Sequence, residues 1–350
     1  MRALSFDIGT EHCVVVEGIV KKGFVEVIQT LIRELPADND AEDNAEITPY
    51  VADAVADIMR SAGFNTKGAV ITSNIRHIKL RDFLLPDGKP KELEGMVRNE
   101  MISNYSADPT DVIQFIKRPM SSSEETNEQK DGGQTRIRAA YMKRDIVDSY
   151  YSLLKRLKLT PLAMDFHANA VEKLICKGAV INDADMNNKA YLMVDFGSSG
   201  TLIHTVAENR IFISRYIPMG VADLDKAIAD KEFISEEQAK SLRMEKLDLF
   251  SEDNAGSDMM KAVQGFLYQW SEEIQKVAMF VQNRQGLKEI DALYLYGIGA
   301  SVMGLPEYIT ATTGMNAFRL ESLDRVSFRN SQDQQKIGQC LNAIGALIRL

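Results

Sequence analysis

The chain has 350 residues, of which 45% are apolar, and its 41 Lys and Arg against 50 Asp and Glu give a formal net charge of −9. That length predicts about two domains that can each bury a core, and the acidic balance argues against a protein that wraps nucleic acid, because neutralising phosphates takes an excess of Lys and Arg. Charges interrupt the apolar runs well before the length of a membrane span or a signal peptide, so we expect a globular protein of the cytosol.

The N-terminal part reads as a small α/β unit. Apolar alternation between turns predicts strands at 3–8, 12–20 and 24–34. Thr48 as N-cap and Pro49 in the first turn predict a helix that ends at Gly63, and residues 68–72 read as a short buried strand. The intervening loop 36–47 is typical of a solvated loop, because it carries five acidic residues and no basic one. Those residues are Asp38, Asp40, Glu42, Asp43 and Glu46.

From residue 75 to 158 the pattern predicts a compact inserted subdomain. Its predicted elements are an extended segment at 75–80, helices at 93–105 and 146–157, and strands at 112–116 and 136–142. The stretch 119–135 is rich in Ser, Glu and Gly, and we expect it to form a surface loop between the two strands.

The opening pattern returns after a strand at 162–166, a helix at 168–176 and a polar connector at 182–188. Strands are predicted at 190–194, 202–207 and 211–217. The first of these ends in Asp-x-Gly, as the first strand of the chain does. Two halves that each begin with such a hairpin indicate a duplicated architecture.

The remainder of the second half is mostly helical. Helices are predicted at 221–229, 260–281 and 332–348, and a further helix begins near residue 301. A capping box at 235–238 predicts the start of another helix. A strand is predicted at 292–296, followed by a tight turn at 297–300. The three cysteines are too widely spaced to indicate disulfides or zinc, and the four histidines lack metal-ligand spacing and read as structural. These residues are Cys13, Cys176, Cys340, His12, His77, His167 and His204.

Three glycine-containing turns carry the chemistry that the pattern suggests. An Asp at the end of a buried strand can hold a hydrated divalent cation, while the amides of the following turn can donate to phosphate. Two such hairpins that face each other would clamp a polyphosphate. The turn at 297–300 leads into a helix N-terminus, where backbone can lie against a nucleotide. Each turn alone is typical of ordinary structure, and their order and duplication favour the nucleotide hypothesis.

The motifs together resemble the two phosphate motifs and the adenosine motif of the actin-like superfamily and, within it, the PilM family of type IV pilus assembly proteins. The resemblance spans nearly the whole chain. The motifs are Asp7-Ile8-Gly9-Thr10, Asp195-Phe196-Gly197-Ser198-Ser199-Gly200-Thr201 and Leu295-Tyr296-Gly297-Ile298-Gly299-Ala300. Further similar segments are the helix start at Pro90, Met164-Asp165-Phe166, residues 214–220 and residues 343–349.

The resemblance implies an α/β fold, the duplicated two-lobe actin-like (ribonuclease H-like) fold with inserted subdomains. Carried onto this sequence, its parts are a first lobe (1A), an inserted α/β subdomain (1C), a second lobe (2A) and a helical insertion in that lobe (2B). They correspond to residues 1–75 with 159–188 for 1A, 76–158 for 1C, 189–218 with 289–350 for 2A, and 219–288 for 2B.

The resemblance also implies a site for ATP and Mg²⁺ between the lobes. Asp7 and Asp195 would hold the metal through water, and Asp165 would stand where relatives position the attacking water. The implied nucleotide contacts are Asp7, Gly9 and Thr10 in the first phosphate turn, Asp195, Gly197, Ser198 and Thr201 in the second, and Gly297, Gly299 and Ala300 in the adenosine turn. A strand-end Asp that caps the following helix is the alternative reading of Asp165.

The implied partner is the cytoplasmic N-terminal tail of a PilN-like inner-membrane protein, held in a groove near 1A and 1C. For that groove we predict the segments 76–80 and 93–98, since extended peptides dock in apolar grooves or on sheet edges. The resemblance further implies contact with the pilus motor and the inner-membrane alignment complex, a place at the inner face of the membrane, compatibility with a homo-oligomer, and no nucleic acid.

Several departures from the family pattern predict a weakened or vestigial ATP site and at most a weak ATPase. Losing one cation that contacts phosphate costs about 2 kcal/mol of binding. The departures are Val14 in place of a phosphate-facing Lys, Val221 and Ile298 in place of glycines, and Lys240 and Arg243 in place of the nucleoside-facing Glu and Lys.

Two other functions stay open from the sequence. A sugar or acetate kinase of the same superfamily would need a general base beside a substrate hydroxyl, and no substrate-pocket motif accompanies Asp165 or Asp195. An FtsA-like polymerising division protein would need a basic amphipathic helix after its last domain, whereas the apolar residues of 341–348 fit core packing better.

Overall fold

The structure is a computed structural model that describes residues 1–36, 47–74, 78–118, 133–176, 178–252, 256–285 and 289–349. Most of the predicted loops 36–47 and 119–135 lies outside these ranges, as do residues 75–77 with His77. The chain divides into two compact units. The main unit comprises Met1–Ala37, Ala54–Ser73 and Leu159–Leu350, and the inserted unit comprises Asp38–Asp53 and Asn74–Lys158.

Strands and helices are numbered here in chain order. The strands are β1 (Arg2–Ile8), β2 (His12–Lys21), β3 (Phe24–Glu34), β4 (Gly68–Ser73), β5 (Lys79–Pro86), β6 (Val112–Arg118), β7 (Gln134–Met142), β8 (Thr160–Phe166), β9 (Val180–Ile181), β10 (Ala184–Asp185), β11 (Tyr191–Phe196), β12 (Thr201–Ala207), β13 (Arg210–Ile217), β14 (Ala292–Tyr296), β15 (Ala317–Arg319) and β16 (Val326–Phe328). The helices are α1 (Pro49–Ala62), α2 (Pro90–Tyr105), α3 (Arg144–Arg156), α4 (His167–Ile175), α5 (Val221–Glu232), α6 (Glu236–Lys246), α7 (Asp258–Gln285), α8 (Leu305–Thr313), α9 (Ser331–Gln334) and α10 (Ile337–Leu347), with a 3₁₀ turn at Ile298–Ser301.

The first sheet of the main unit has the strand order β16-β3-β2-β1-β4-β8. β1 pairs antiparallel with β2 and parallel with β4, and β4 pairs parallel with β8. Asp7 lies opposite Thr72, which in turn lies opposite Asp165. Because parallel strands bring their carboxyl ends to one edge, these three side chains line the same edge of the sheet.

The second sheet repeats the hairpin with the order β13-β12-β11-β14-β15. β11 is buried throughout, and Asp195 near its end lies opposite Tyr296 of the parallel strand β14. Phe196 stacks on Trp270 of α7, with ring centroids 4.4 Å apart. The apolar stripe of α7 is therefore core that supports the second hairpin, as its spacing predicts.

The last part of the chain returns to the first sheet. β16 pairs parallel with β3, and α10 packs on β1, β2, β4 and α4. A side chain at Gly345 would overlap the carbonyl oxygen of Ala170, so the backbones of α10 and α4 touch. The four-part division of the chain remains a prediction, and these contacts place part of its 289–350 segment against the first sheet.

The inserted unit contains a three-stranded antiparallel sheet with the order β5-β7-β6. α2 covers one face of this sheet with Leu93, Val97 and Met101, which meet Leu85 and Ile137 in a common core. Residues 75–77 of the strand predicted at 75–80 lie outside the described ranges, and β5 pairs with β7 from Lys79 to Pro86.

Four local predictions are corrected by the structure. The connector 182–188 contains the turn and the second strand of the hairpin β9–β10. Asn182 and Asp183 adopt φ of 49° and 64° and form the two-residue turn that favours Asn and Asp. The final helix is divided into α9 and α10. The helix predicted from 301 begins at Leu305, after the 3₁₀ turn. Asp195 and Thr201 lie in strands, so the second turn is limited to 197–200.

The capping box at the start of α6 is confirmed and gives a first testable prediction. The Ser235 hydroxyl accepts from the Gln238 amide at 3.2 Å, and the Gln238 side chain accepts from the Ser235 amide at 3.0 Å. We expect Ser235→Ala to lower the free energy of unfolding by about 1 kcal/mol in urea titrations. Ser241→Ala on the same helix is the control, since that hydroxyl only bonds back to the Glu237 carbonyl. Equal losses in both variants would contradict the capping role.

Candidate functional site between the two sheets

Two carboxylates, the partly buried Asp7 of the first sheet and the buried Asp195 of the second, converge on one histidine. Asp7 comes from β1, Asp195 from β11 and His167 from the first turn of α4. The Asp7 Oδ1 atom lies 2.9 Å from His167 Nε2, and Asp195 Oδ2 lies 3.7 Å from His167 Nδ1. The predicted pair of metal-holding residues is therefore brought together, and an imidazole ring lies between the two side chains.

A further polar residue, Asn342 of α10, completes this cluster. The Asn342 side-chain amide donates to Asp195 Oδ2 at 2.8 Å, and its nitrogen lies 3.3 Å from His167 Nδ1. Two buried oxygens, Asn342 Oδ1 and the hydroxyl of Tyr296 on the strand beside Asp195, have no hydrogen-bond partner within the described ranges. Asp7, His167, Asp195 and Asn342, called here the Asp–His–Asp cluster, thus join β1, α4, β11 and α10.

Burial and charge both act on the titration of this cluster. Burial by itself lowers the pKa of His167, but the charge and hydrogen bond of Asp7, helped by Asp195 and Asp165, outweigh it and raise that pKa. Burial raises the pKa of the Asp195 carboxyl, and the charge of Asp7 adds to this, against the lowering effects of His167 and Asn342. The charges of Asp7 in the first sheet and Asp195 in the second thus act on the same histidine.

The first two predicted phosphate turns touch each other. The Gly9 amide donates to the His12 carbonyl at 2.9 Å and closes the first turn, in which Gly9 and Thr10 are exposed. The His12 ring then reaches across to the second turn, with Nδ1 3.3 Å from Ser198 Oγ. Burial, with Lys240 and Arg243 nearby, lowers the pKa of His12 to about 4, so a neutral ring lies between the turns at neutral pH.

The second turn is held by the N-terminus of α5. The amides of Val221 and Ala222 donate to the carbonyls of Gly197 and Ser198, each at 3.0 Å. A side chain at Gly220 would overlap the Ser198 carbonyl and the Gly200 amide. These helix amides would be typical donors to an anion, and here they are used by the turn itself.

Thr201 belongs to the core below this turn. Its hydroxyl is fully buried, donates to the Met219 carbonyl at 2.7 Å and accepts from the Trp270 indole at 2.8 Å. The predicted phosphate contact by Thr201 therefore has no support in the structure, because its hydroxyl is already satisfied inside the fold.

The third turn packs directly on the second sheet. Gly297 has φ of 86°, and a side chain there would overlap the Asp195 carboxylate and approach the Phe196 carbonyl. Gly299 lies against Phe196 and Val221 in the same way, and Ala300 is buried. Gly297 thus lies next to Asp195, and Gly299 lies next to Phe196; a nucleotide contact by this turn stays a prediction.

Asp165, near the end of β8, is bonded to side chains of the following helix α4. One carboxylate oxygen accepts from the Phe166 amide at 2.8 Å and the Asn169 side chain at 2.7 Å. The other oxygen accepts from Lys173, whose ammonium also donates to the Ile348 carbonyl at 2.5 Å. The first-turn amides of α4 receive no side-chain cap, so the capping alternative is not supported, and both carboxylate oxygens are instead satisfied by these contacts.

The residues that depart from the family pattern are engaged within the protein. Val14 is buried in β2 opposite Asp7, and Val221 is buried against Gly299. Lys240 lies 2.9 Å from Glu34 and 3.8 Å from Glu11. Arg243 forms a buried two-pronged pair with Asp225 at 2.5 and 3.1 Å. Ile298, in the third turn, is half-buried.

His167 and Asn342 are the site residues that sequence reasoning missed. His167 follows Asp165 by two residues at a strand–helix junction, where first-turn side chains face the strand ends. Asn342 is the polar residue in the middle of an apolar stretch of α10, at a position that is buried. A buried polar residue needs a partner, and that requirement was the signal available for Asn342.

Each of the two sheets begins with a hairpin whose first strand carries an Asp, and the sheets meet at those two Asp residues. This is the architecture of an actin-like protein, and the similar solved structures share it. The family model for type IV pilus assembly protein PilM matches residues 5–346. The chain belongs to this family and is an actin-like protein of type IV pilus assembly. No curated protein matches its sequence.

Three solved structures illustrate the shared fold. A chain of a PilM-PilN type IV pilus biogenesis complex matches with a TM-score of 0.79 and 19% identity, covering 99% of this chain and 98% of that one. Ethanolamine utilization protein EutJ from Carboxydothermus hydrogenoformans gives 0.56 and 13%, covering 100% and 90%. MreB5 of Spiroplasma citri bound to AMPPNP gives 0.52 and 11%, covering 98% and 94%.

None of the described helices combines the length and the apolar character that crossing a membrane requires. Within the same ranges, no group of three or more His, Cys, Asp or Glu side chains is arranged to hold a metal ion.

Proposed function

We propose that this chain is a scaffold of type IV pilus assembly that binds the cytoplasmic N-terminal tail of a PilN-like inner-membrane protein and contacts the pilus motor and alignment complex. The observation that carries this proposal is the family match over residues 5–346. Its fold likeness to a chain of a PilM-PilN complex, over nearly the full length of both, supports it. Binding to such a tail would hold the protein at the inner face of the membrane.

The inserted unit offers a sheet edge for an extended tail. β5 is an edge strand, and Leu84 on it is 42% exposed. Extended peptides bind by adding a strand to such an edge, with side chains filling neighbouring apolar positions. In the predicted segment 93–98, Leu93 and Val97 are buried in the unit's own core. The exposed Glu94, Gly95 and Arg98 and the half-buried Met96 remain for a partner.

We also propose that the nucleotide site is weakened. The residues between the sheets do not fit Mg²⁺ and ATP, because the groups that would bind them are satisfied internally. Asp7 and Asp195 face His167, the first amides of α5 donate to the second turn, and Lys240 pairs with glutamates. An ATP molecule would have to displace these contacts before making its own.

Tail binding can be tested by calorimetry with the full chain and a synthetic peptide of the cytoplasmic tail of the PilN-like protein from the same organism. We expect saturable binding that Mg-ATP does not change and that Leu84→Asp weakens at least about tenfold, or 1.4 kcal/mol. Met279→Asp is the matched control, since Met279 is 51% exposed in the main unit. No binding by the wild type would overturn the scaffold proposal, and micromolar binding of Mg-ATP would return the protein to the ATP-dependent class.

A further inference from the structure

We propose that the His167 side chain takes the place of the divalent cation that Asp7 and Asp195 would hold in a nucleotide-binding member of this fold. In this chain the two halves of the main unit are then joined by a protein side chain instead of a metal–nucleotide complex. The inference rests on the proposed weakening of the nucleotide site and names the residue responsible for it.

The geometry places His167 at the predicted metal position. One ring nitrogen is 2.9 Å from Asp7 and the other 3.7 Å from Asp195, so a single ring faces both carboxylates. The side chain of His167 is only 8% exposed. A hydrated cation shared by these carboxylates would need the volume that the imidazole fills.

Charge balance requires a positive or hydrogen-bond-donating group at this point. Two carboxylates buried together repel each other and lose hydration, unless a partner compensates both effects. The neighbouring cations are engaged elsewhere, because Lys173 pairs with Asp165 and Arg243 pairs with Asp225. His167 and the Asn342 amide are therefore the compensating groups of the cluster.

Two further contacts join the same halves beside the cluster. Lys240 of α6 pairs with Glu34 of the first sheet, and the His12 ring meets Ser198 of the second turn. These contacts lie where a polyphosphate would be clamped between the hairpins. In a nucleotide-binding relative, bound ligands would hold the two hairpins together. In this chain, side chains hold them together instead.

The test is thermal unfolding of the full chain at one fixed pH, in EDTA and in millimolar MgCl₂. We expect the wild type to unfold at the same temperature in both. In EDTA, His167→Ala should unfold at a temperature at least about 5 °C below that of the wild type, because the carboxylates lose their partner. Adding Mg²⁺ should restore part of this loss in unfolding temperature. His204→Ala is the matched control: His204 is a buried histidine bonded to Ser214, so its loss should destabilise without any response to Mg²⁺.

A second variant keeps the test decisive if His167→Ala does not fold. His167→Ala combined with Asp195→Asn removes one of the two facing charges, so this double variant should fold without a divalent cation and show no response to Mg²⁺. Its failure to fold would overturn the inference, as would a His167→Ala protein that ignores Mg²⁺ or a His204→Ala protein that responds equally. A wild type stabilised by Mg-ATP would instead remove the weakened nucleotide site on which the inference rests, whereas tail binding is measured independently.

Discussion

Replacing Lys173 by Met is expected to lower the free energy of unfolding by about 3–5 kcal/mol, because it leaves Asp165 as an unpaired buried charge. The two side chains are only 5% and 8% exposed, and Lys173 also donates to the Ile348 carbonyl. Met keeps the volume of the Lys stem, so the loss reports the missing charge and not a cavity. Urea unfolding of wild type and variant at neutral pH measures the difference.

Two comparisons give this prediction its control. Lys261→Met removes an exposed ion pair with Asp258, whose side chains are 61% and 60% exposed, and should leave stability unchanged because solvent screens such pairs. Lys173→Met combined with Asp165→Asn should recover part of the loss, since the remaining amide carries no charge. If Lys173→Met were as mild as Lys261→Met, the Lys173–Asp165 pair would have no structural role.

Substituting Gly220 by Ala is expected to destabilise the protein by about 3 kcal/mol or more, at the upper end of the cost of overpacking. Gly220 has φ of −127°, which any residue can adopt, so the penalty is steric. The added methyl group would overlap the carbonyl of Ser198 and the amide of Gly200. Backbone atoms cannot turn away as a side chain can, and the second turn would have to separate from α5.

Gly265→Ala provides a control of opposite sign. Gly265 lies in α7 with open space around its missing side chain. Ala favours a helix over Gly by about 0.8–1 kcal/mol, so this variant should be slightly more stable than the wild type. Chemical unfolding of both variants decides the matter: a mild Gly220→Ala would mean that the contact between the second turn and α5 is loose.

Local sequence pattern predicted most of the fold because its signals are local. The alternation in β3, the Pro49 helix start and the Ser235 capping box each depend on residues within a few positions of one another. The same pattern could not reveal β15 and β16, which have only three residues each. Such short strands exist because a neighbouring strand is already in place to pair with them.

The candidate site was predicted in outline and missed in its central residue. The Asp7 and Asp195 turns could be found because each has a recognisable motif, and the resemblance to a family placed them together. His167 has no motif, and its contacts join positions far apart in the sequence. The family resemblance placed Thr201 in the second turn, whereas the indole of Trp270, far along the chain, fixes its hydroxyl in the core.

The structure shows which contacts are made by the residues that depart from the family pattern. From the sequence, Lys240 and Arg243 were known only as replacements for the Glu and Lys that face the nucleoside in the family. Their pairing with Glu34 and Asp225 shows what they do instead, which is to tie α6 to the first sheet and to α5. The weakened nucleotide site remains a proposal that calorimetry and the His167 variants can test.

The return of the chain to the first sheet at β16 and α10 has a consequence for biosynthesis. β3 lacks its neighbour β16 until residue 328 has left the ribosome, and Asp195 lacks the Asn342 amide until α10 emerges. We therefore expect the first sheet to stay partly exposed until residues 326–347 have been made. Contacts between residues this distant in sequence form slowly, so we expect the Asp–His–Asp cluster to form late in folding.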